Sequence, residues 1–122
     1  MSALSNPEAE AYFERRCARD EVGTRFMESL RPLGEYEVRG DLRSFRSPYA
    51  VTAGTVFGGA LDMDRVLYRL SAADRAIALR TGAEASPLGD DWVVFTLFRS
   101  GWPALDLEHW ARAAYRFARG GG

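Results

Sequence analysis

The 122-residue sequence contains no lysine, so all 16 of its basic residues are arginines. This absence excludes Schiff-base chemistry, which requires a lysine amine, and a P-loop, whose lysine contacts the nucleotide phosphates. Two explanations of the arginine-only composition stay open. One is a GC-rich coding bias, and the other is selection for the planar, bidentate contacts that a guanidinium makes with anions.

Cysteine and histidine each occur once, as Cys17 and His109. An intramolecular disulfide is therefore excluded, and with no cluster of cysteine and histidine ligands we expect neither a metal nor a cofactor. Cys17 falls at the apolar spacing of a helix, which predicts a buried position. His109 has no serine or cysteine beside it to act as a nucleophile, which favours a surface or boundary histidine. The expectation is a protein that is not an enzyme.

An excess of charge of one sign is also lacking. Seventeen acidic residues balance the arginines to a net charge of −1, which argues against direct binding of nucleic acid. No apolar run approaches the roughly 20 residues that cross a bilayer, and the first residues do not follow the signal-peptide pattern. We therefore expect a cytoplasmic protein without a membrane partner. The length predicts one domain over residues 1–122, with residues 1–20 as a peripheral helix and residues 120–122 as a frayed tail.

Helical periodicity covers the N-terminal part of the chain. Asn6 and Pro7 are typical of an N-cap and a first helical residue. Two apolar stripes with a spacing of four residues follow, and Gly23 either separates two helices or weakens one. Pro32 and Gly34 are expected to end the helical region. The first stripe is Phe13 and Cys17, and the second is Val22, Phe26 and Leu30.

Beyond Gly34 the pattern changes to that of strands. Ala53 and Gly54 separate two strand-like runs and predict a hairpin, and residues 62–65 predict the next turn. The run EASPLGDD predicts a loop, and the run WVVFTLF after it predicts a central strand because it is apolar on both faces.

Two further helices interrupt and follow these strands. Ser71 is placed to cap the first, which runs to about Thr81 and is expected to turn Ala73, Ile77 and Ala76 inward. The last helix is predicted to pack through an apolar stripe of Leu107, Trp110, Ala111, Ala114, Tyr115 and Ala118. The sequence thus predicts an α+β fold: N-terminal helices, a mostly antiparallel sheet of four or five strands, one inserted helix and a C-terminal helix.

A pair of glycines, Gly58 and Gly59, follows the aromatic Phe57 and raises the question of whether it grips a ligand. A phosphate-binding loop needs glycine-rich backbone that leads into the N-terminus of a helix. Here the next residues, ALDMDRVLYRL, predict a turn and a strand instead. Since a glycine in a strand marks a bulge or a close backbone approach, the pair is interpreted as structural.

Four arginines and one tryptophan are the candidate binding residues. Arg39, Arg43 and Arg46 precede the hairpin, and Arg69 lies in a predicted strand, so adjacent strands could bring some of them onto one face. Such a face would hold an anion or an acidic partner. The alternative is a solvated face on which acids and arginines compensate each other. Trp102 lies in the loop SGWP and is the candidate exposed contact residue.

From about Val22 onwards, the chain resembles the N-terminal domain of TfoX/Sxy-type proteins. The resemblance is carried by an ordered series of features: a turn glycine (Gly54), the pair Val56 and Phe57, an acidic turn, a strand ending in Arg69 and Leu70, a helix ending in Gly82 and Ala83, a strand led by Trp92, and a final helix with Trp110, Ala114 and Tyr115. The Met-Phe-Gly-Gly motif of that family is represented by Ser-Phe-Arg-Ser at residues 44–47. The YjbR-like group, with a similar layout, is the structural alternative.

The resemblance implies a small cytoplasmic α+β domain, which in some relatives is linked to the regulation of natural competence. We therefore expect a non-enzymatic interaction or regulatory domain with a protein partner, or a homodimer formed through a sheet edge or a helix face. The alternative expectation is a module that binds a small molecule or an anion through its arginine-rich face.

Overall fold

The computed structural model describes residues 6–40, 46–86, 88–97 and 107–120. Within these ranges, none of the helices is long and apolar enough to span a bilayer. In chain order the elements are α1 (Asn6–Glu14), α2 (Asp20–Ser29), β1 (Glu37–Arg39), β2 (Tyr49–Thr52), β3 (Thr55–Leu61), β4 (Arg65–Arg69), α3 (Ala72–Arg80), β5 (Glu84–Ala85), β6 (Trp92–Thr96) and α4 (Leu107–Ala118). The predicted α+β class and its arrangement of helices are confirmed. The described sheet has six strands rather than four or five.

The strands lie in the order β1-β2-β3-β4-β6-β5, and each neighbouring pair is antiparallel. The predicted hairpin joins β2 to β3 through Ala53 and Gly54, whose φ angles of 50° and 76° suit a tight two-residue turn. β6 is buried on both faces, as its apolar run predicts. It lies beside the edge strand β5, however, and not at the centre of the sheet. The two residues of β5 lie within the segment predicted as a loop. This strand was not predicted, because two residues are too few to show an alternating pattern.

Helices cover both faces of the sheet, and successive strand residues point to opposite faces. On one face, α2 and α4 pack over β3 and β4 and help to bury Phe26 and Tyr68. On the other face, α1 packs over β3, and its Phe13 is buried with Tyr49 and Trp92. We call these the α2/α4 face and the α1 face. Trp92 and Trp110 are both core residues, as predicted.

The connection between α1 and α2 corrects two predictions. Cys17 is exposed rather than buried, because α1 ends at Glu14 and Cys17 lies in the connection. Residues 15–19 carry the chain from the α1 face to the α2/α4 face, and the backbone is held there by hydrogen bonds of 2.8 Å that link Cys17 and Arg19 to Asp62. Gly23 does not divide the helices; it is buried inside α2.

Helix α3 is capped as predicted, but it presents a different side to the core. The Ser71 hydroxyl accepts a hydrogen bond from the Asp74 amide at 3.3 Å. The expected inward residues Ala73 and Ala76 are exposed, as is Ile77. Ala78 is buried instead, and Leu79 packs against the core. Among the strands, α3 contacts mainly β6, so only a narrow strip of the helix surface is buried. Because the helix is rich in alanine and its apolar residues form no clear stripe, the sequence pattern did not identify the buried side.

The predicted inward stripe of α4 is confirmed. Trp110, Ala111 and Ala114 are buried, while Leu107, Tyr115 and Ala118 are partly buried against the same core.

The glycine pair of β3 lies at a bulge between two packed faces. Ala50 pairs with Gly58 and the next residue, Val51, pairs with Val56, so Phe57 is an extra residue in β3. A Cβ atom at Gly58 would meet a Phe26 ring carbon on the α2/α4 face at 3.2 Å. One at Gly59 would lie 2.6 Å from Phe13 Cζ on the α1 face. The structural interpretation of the pair is therefore supported by both a bulge and close packing.

Candidate functional site

The structure places three of the five predicted binding residues. Arg39 lies on the edge strand β1, Arg46 lies just before β2, and Arg69 ends β4. Arg43 and Trp102 lie outside the described residues. Two strands separate β1 from β4, and strands are spaced about 4.8 Å apart, so the strands that carry Arg39 and Arg69 lie about 14 Å apart. Arg39 and Arg46 both contact α1, whereas Arg69 has other partners.

Arg39 ties the edge of the sheet to α1. Its Nη1 atom donates to Glu10 of α1, and its Nη2 atom donates to Glu37 of β1 at 3.2 Å. These contacts raise the pKa of the Arg39 guanidinium, first through the hydrogen bond with Glu37 and then through Tyr49. The Arg39 side chain remains 40% exposed, so its charge is accessible at the surface.

Beside Arg39, the Tyr49 phenol donates a hydrogen bond of 2.7 Å to Glu14 Oε2. Burial and this carboxylate together raise the pKa of Tyr49 to about 12. Tyr49 also stacks on Phe13, with ring centroids 5.7 Å apart. The result is a fixed set of neutral and charged contacts between the sheet and α1, near β1.

Arg46 belongs to a second surface, formed with the connection between α1 and α2. Its backbone pairs with Cys17, and its side chain donates to the Glu14 carbonyl at 3.4 Å. A cleft of about 390 Å³ lies here; its lining includes Arg16, Cys17, Arg19 and the acidic Asp62, and Arg46 adjoins it through its pairing with Cys17. We call these three arginines and the cleft the linker cleft. Arg16 lies over the Tyr12 ring, 3.6 Å from its centroid, and within the described ranges none of the three arginines pairs with a carboxylate.

Arg69 is engaged elsewhere. Its Nη2 atom lies 3.3 Å from Asp91 Oδ2, and its guanidinium carbon lies 5.7 Å from the centroid of the Phe117 ring.

The aspartates in the turns form ion pairs with nearby arginines. Asp62 in the turn after β3 pairs with Arg65 at 3.6 Å. These acids serve turns and ion pairs, as is usual for aspartate in such positions.

His109 is exposed in the first turn of α4, with its ring 4.7 Å from that of Trp110. Among the described residues, no three histidine, cysteine, aspartate or glutamate side chains are grouped so that they could hold a metal ion.

The outer edge of β1 is the surface that sequence reasoning did not single out. A cleft of about 450 Å³, which we call the β1 cleft, lies where β1 meets the β2–β3 hairpin; its lining includes Tyr36, Glu37 and Arg39 together with residues 51–54 and Arg119. Tyr36 is 38% exposed. In the described part of the chain, β1 pairs with β2 on one side and with no strand on the other. Its outer main-chain groups can therefore accept another strand.

The C-terminal end of α4 braces this edge. Arg119 Nη1 donates to the Thr52 hydroxyl at 2.8 Å, and that hydroxyl donates to the Glu35 carbonyl at 2.8 Å. Tyr115 donates to the same carbonyl at 3.1 Å. Since Arg119 and Tyr115 are far along the chain from Glu35 and Thr52, no local pattern could have joined them. The brace holds the entry to β1 in place.

Comparison of the chain with protein families, curated proteins and solved structures finds no match. The interpretation of these surfaces therefore rests on their geometry and chemistry.

Proposed function

We propose that this chain is a small, non-enzymatic interaction domain that binds a protein partner through the outer edge of β1, in the manner of a regulatory domain. The observation that carries the proposal is the open outer edge of β1 in the described sheet. Both faces of the sheet are covered by helices, so an edge is where the described sheet can extend. The proposal includes two expectations from the sequence. These are a cytoplasmic location and a similarity to TfoX/Sxy-type domains.

The chemistry of the edge suits strand addition. The outer main-chain groups of β1 supply hydrogen bonds, and the side chains of Glu37 and Arg39 supply charges of both signs next to them. Tyr36 adds an exposed aromatic ring at the start of the strand. Main-chain hydrogen bonds provide affinity in this mode of recognition, and the side chains provide selectivity.

Photo-crosslinking in the native cell tests this proposal. A benzophenone amino acid at position 36 should form discrete crosslinked products. The same residue at position 77 of α3 should not form these products, because Ile77 is comparably exposed but lies on a helix that packs against β6. The absence of products at position 36, or the same products at both positions, would count against a partner at this edge.

A second candidate function, anion binding, is favoured by the linker cleft. Arg16 and Arg19 line it, and Arg46 adjoins it; among the described residues none of these three pairs with a carboxylate, and guanidinium groups suit oxyanions. The acid in the lining, Asp62, pairs with Arg65. Titration with inorganic phosphate, followed by NMR, should shift the amides of residues 16–19. Arg46→Ala should weaken the shifts, whereas Arg112→Ala on α4 should not. Equal effects of the two variants would exclude a site at this cleft.

A further inference from the structure

We infer that the partner of β1 is the β1 strand of a second copy of this chain, paired antiparallel about a two-fold axis at Val38. The inference rests on the proposed function, because it names the occupant of the same edge. It starts from the charge pattern of the strand, in which Glu37 and Arg39 flank Val38. That pattern is complementary to itself when the strand is reversed.

The antiparallel register places Glu37 of one copy opposite Arg39 of the other, twice in each dimer. Both side chains lie on the α1 face, because their β2 partners Val51 and Tyr49 belong to the core of that face. Their side chains are 64% and 40% exposed, so both can reach a second copy. Opposite charges directly across a strand pair stabilise it.

The same register brings apolar groups together on the α2/α4 face. Val38 pairs with Ala50 of that face, packs against its core and would lie opposite Val38 of the second copy. The seam would thus be ionic on one face and apolar on the other.

The other edge of the described sheet does not offer this complementarity. β5 has only two residues, Glu84 and Ala85, so its self-pairing would set a charge opposite a methyl group. Pairing of β1 with β5 of another copy would leave a free edge at each end and continue into a filament. Of the pairings that the two edges of the described sheet allow, the two-fold pairing of β1 closes with the charges matched.

A seam of three residues per strand is short. It lies below the roughly 1,200 Å² that stable complexes bury, so we expect a weak dimer with a dissociation constant in the range of about 10 to 100 µM. The measurement is sedimentation velocity on the purified full chain over about 1 µM to 1 mM.

Charge reversal tests the register. Glu37→Arg and Arg39→Glu should each weaken the homodimer at least about tenfold, because each sets like charges opposite one another twice. Mixing the two variants should restore a dimer, since every cross-strand pair in the heterodimer is again opposite in charge. Circular dichroism should show that both variants are folded.

A matched control separates the seam from contacts within one chain. Glu10→Gln removes the negative charge that faces Arg39 from α1 and leaves the charges of β1 intact, so its dissociation constant should stay within about twofold of the wild type. A monomeric wild type at the highest concentration would overturn the inference, as would single variants that dimerise normally or a mixture that stays monomeric.

Failure of the inference can be distinguished from failure of the proposed function. A monomeric protein that still crosslinks through position 36 to a different protein overturns the second copy as the partner and leaves β1 as a binding edge. A monomeric protein with no crosslinked product at position 36 overturns both.

Discussion

Gly59 lies beneath the buried ring of Phe13, at the point where α1 crosses β3. A methyl group there would fall 2.6 Å from Phe13 Cζ and 2.8 Å from Phe13 Cδ1. Both separations are shorter than real Cβ contacts, so the ring or the strand would have to move. At the scale of one residue, glycine is required because a side chain from another element occupies the space.

We expect Gly59→Ala to reduce the free energy of unfolding by about 1–3 kcal/mol, which is typical of an overpacked core. Urea unfolding measures the change. In a Phe13→Leu background the added methyl group should cost less, because leucine lacks the Cε1 and Cζ atoms of the ring. Equal costs in the two backgrounds would show that Phe13 is not the obstacle.

The contribution of Tyr49 to stability depends on pH, because its phenol is buried and hydrogen-bonded. Its pKa is raised from 10.0 to about 12, first by burial and then by Glu14. Between these values the unfolded chain loses the phenolic proton while the folded chain keeps it. Because the unfolded state then binds fewer protons, stability falls as the pH rises. The contribution is fully present below about pH 10 and is lost towards pH 12.

Tyr49→Phe should remove this pH dependence. At pH 8 the variant should be less stable by about 1 kcal/mol, because the hydrogen bond to Glu14 is lost. Above pH 10 the wild type should lose about 1.4 kcal/mol more per pH unit than the variant, so the difference between them should vanish and change sign by about pH 11. Urea unfolding from pH 8 to pH 11 measures both, and parallel curves would contradict the role of Tyr49.

At the scale of elements, α3 depends more on its ends than on its packing. Only Ala78 of this helix is fully buried, while the side chain of Ser71 satisfies the Asp74 amide at its start. At its other end, Thr81 Oγ1 donates to the Ala78 carbonyl at 2.8 Å. A helix with little buried surface relies on such local hydrogen bonds.

We expect Ser71→Ala to destabilise the protein by about 1 kcal/mol, as is usual for loss of an N-cap. Amide hydrogen exchange should show the largest loss of protection in the first turn of α3. Ser71→Asp keeps an acceptor for the Asp74 amide, so it should retain most of the protection. Similar exchange in the alanine and aspartate variants would mean that the cap does not control α3.

Elements with strong local signals could be predicted from the sequence, and those without them could not. The Ala53–Gly54 hairpin and the Ser71 cap depend on residues within a few positions of each other, and both were predicted. The break at residues 15–19 contains neither glycine nor proline, and it forms because its backbone pairs with Asp62 and Arg46. These partners are distant in sequence, so helical periodicity carried the prediction past the true end of α1.

At the scale of the whole molecule, one sheet serves two cores. Alternate residues of β4 belong to different faces: Tyr68 and Val66 to the α2/α4 face, and Leu67 to the α1 face. The two aromatic probes Trp92 and Trp110 report on the two faces separately. Because the same strands carry both cores, loss of one core should disrupt the other.

We therefore expect the two faces to unfold together. In a Trp102→Phe background, Trp110→Phe leaves Trp92 as the fluorescent probe, and Trp92→Phe leaves Trp110. Within each variant, the urea midpoint of fluorescence should coincide with that of far-ultraviolet circular dichroism. An earlier fluorescence midpoint for Trp92 would instead show that α1 separates from the sheet before the rest unfolds.

For the candidate site, as for the fold, some features could be predicted from the sequence and others could not. Arg39 and Arg46 were selected from the sequence, but the sequence did not separate them into an edge strand and a linker cleft. The contact of Arg39 with Glu10 spans 29 residues, and the bond from Arg119 to Thr52 spans 67. Such pairs form only when distant elements pack, so no local pattern could identify them.

The α+β class, the hairpin, the Ser71 cap of α3 and the stripe of α4 could be predicted from the sequence alone, because turn chemistry and apolar periodicity act over a few residues. The face that each helix covers, the need for two glycines in β3 and the strand that is left at the edge follow from tertiary packing. Those features depend on the order of strands and on rings such as Phe13 and Phe26 that arrive from other elements. Long-range packing sets them, because their partners meet only in the folded chain.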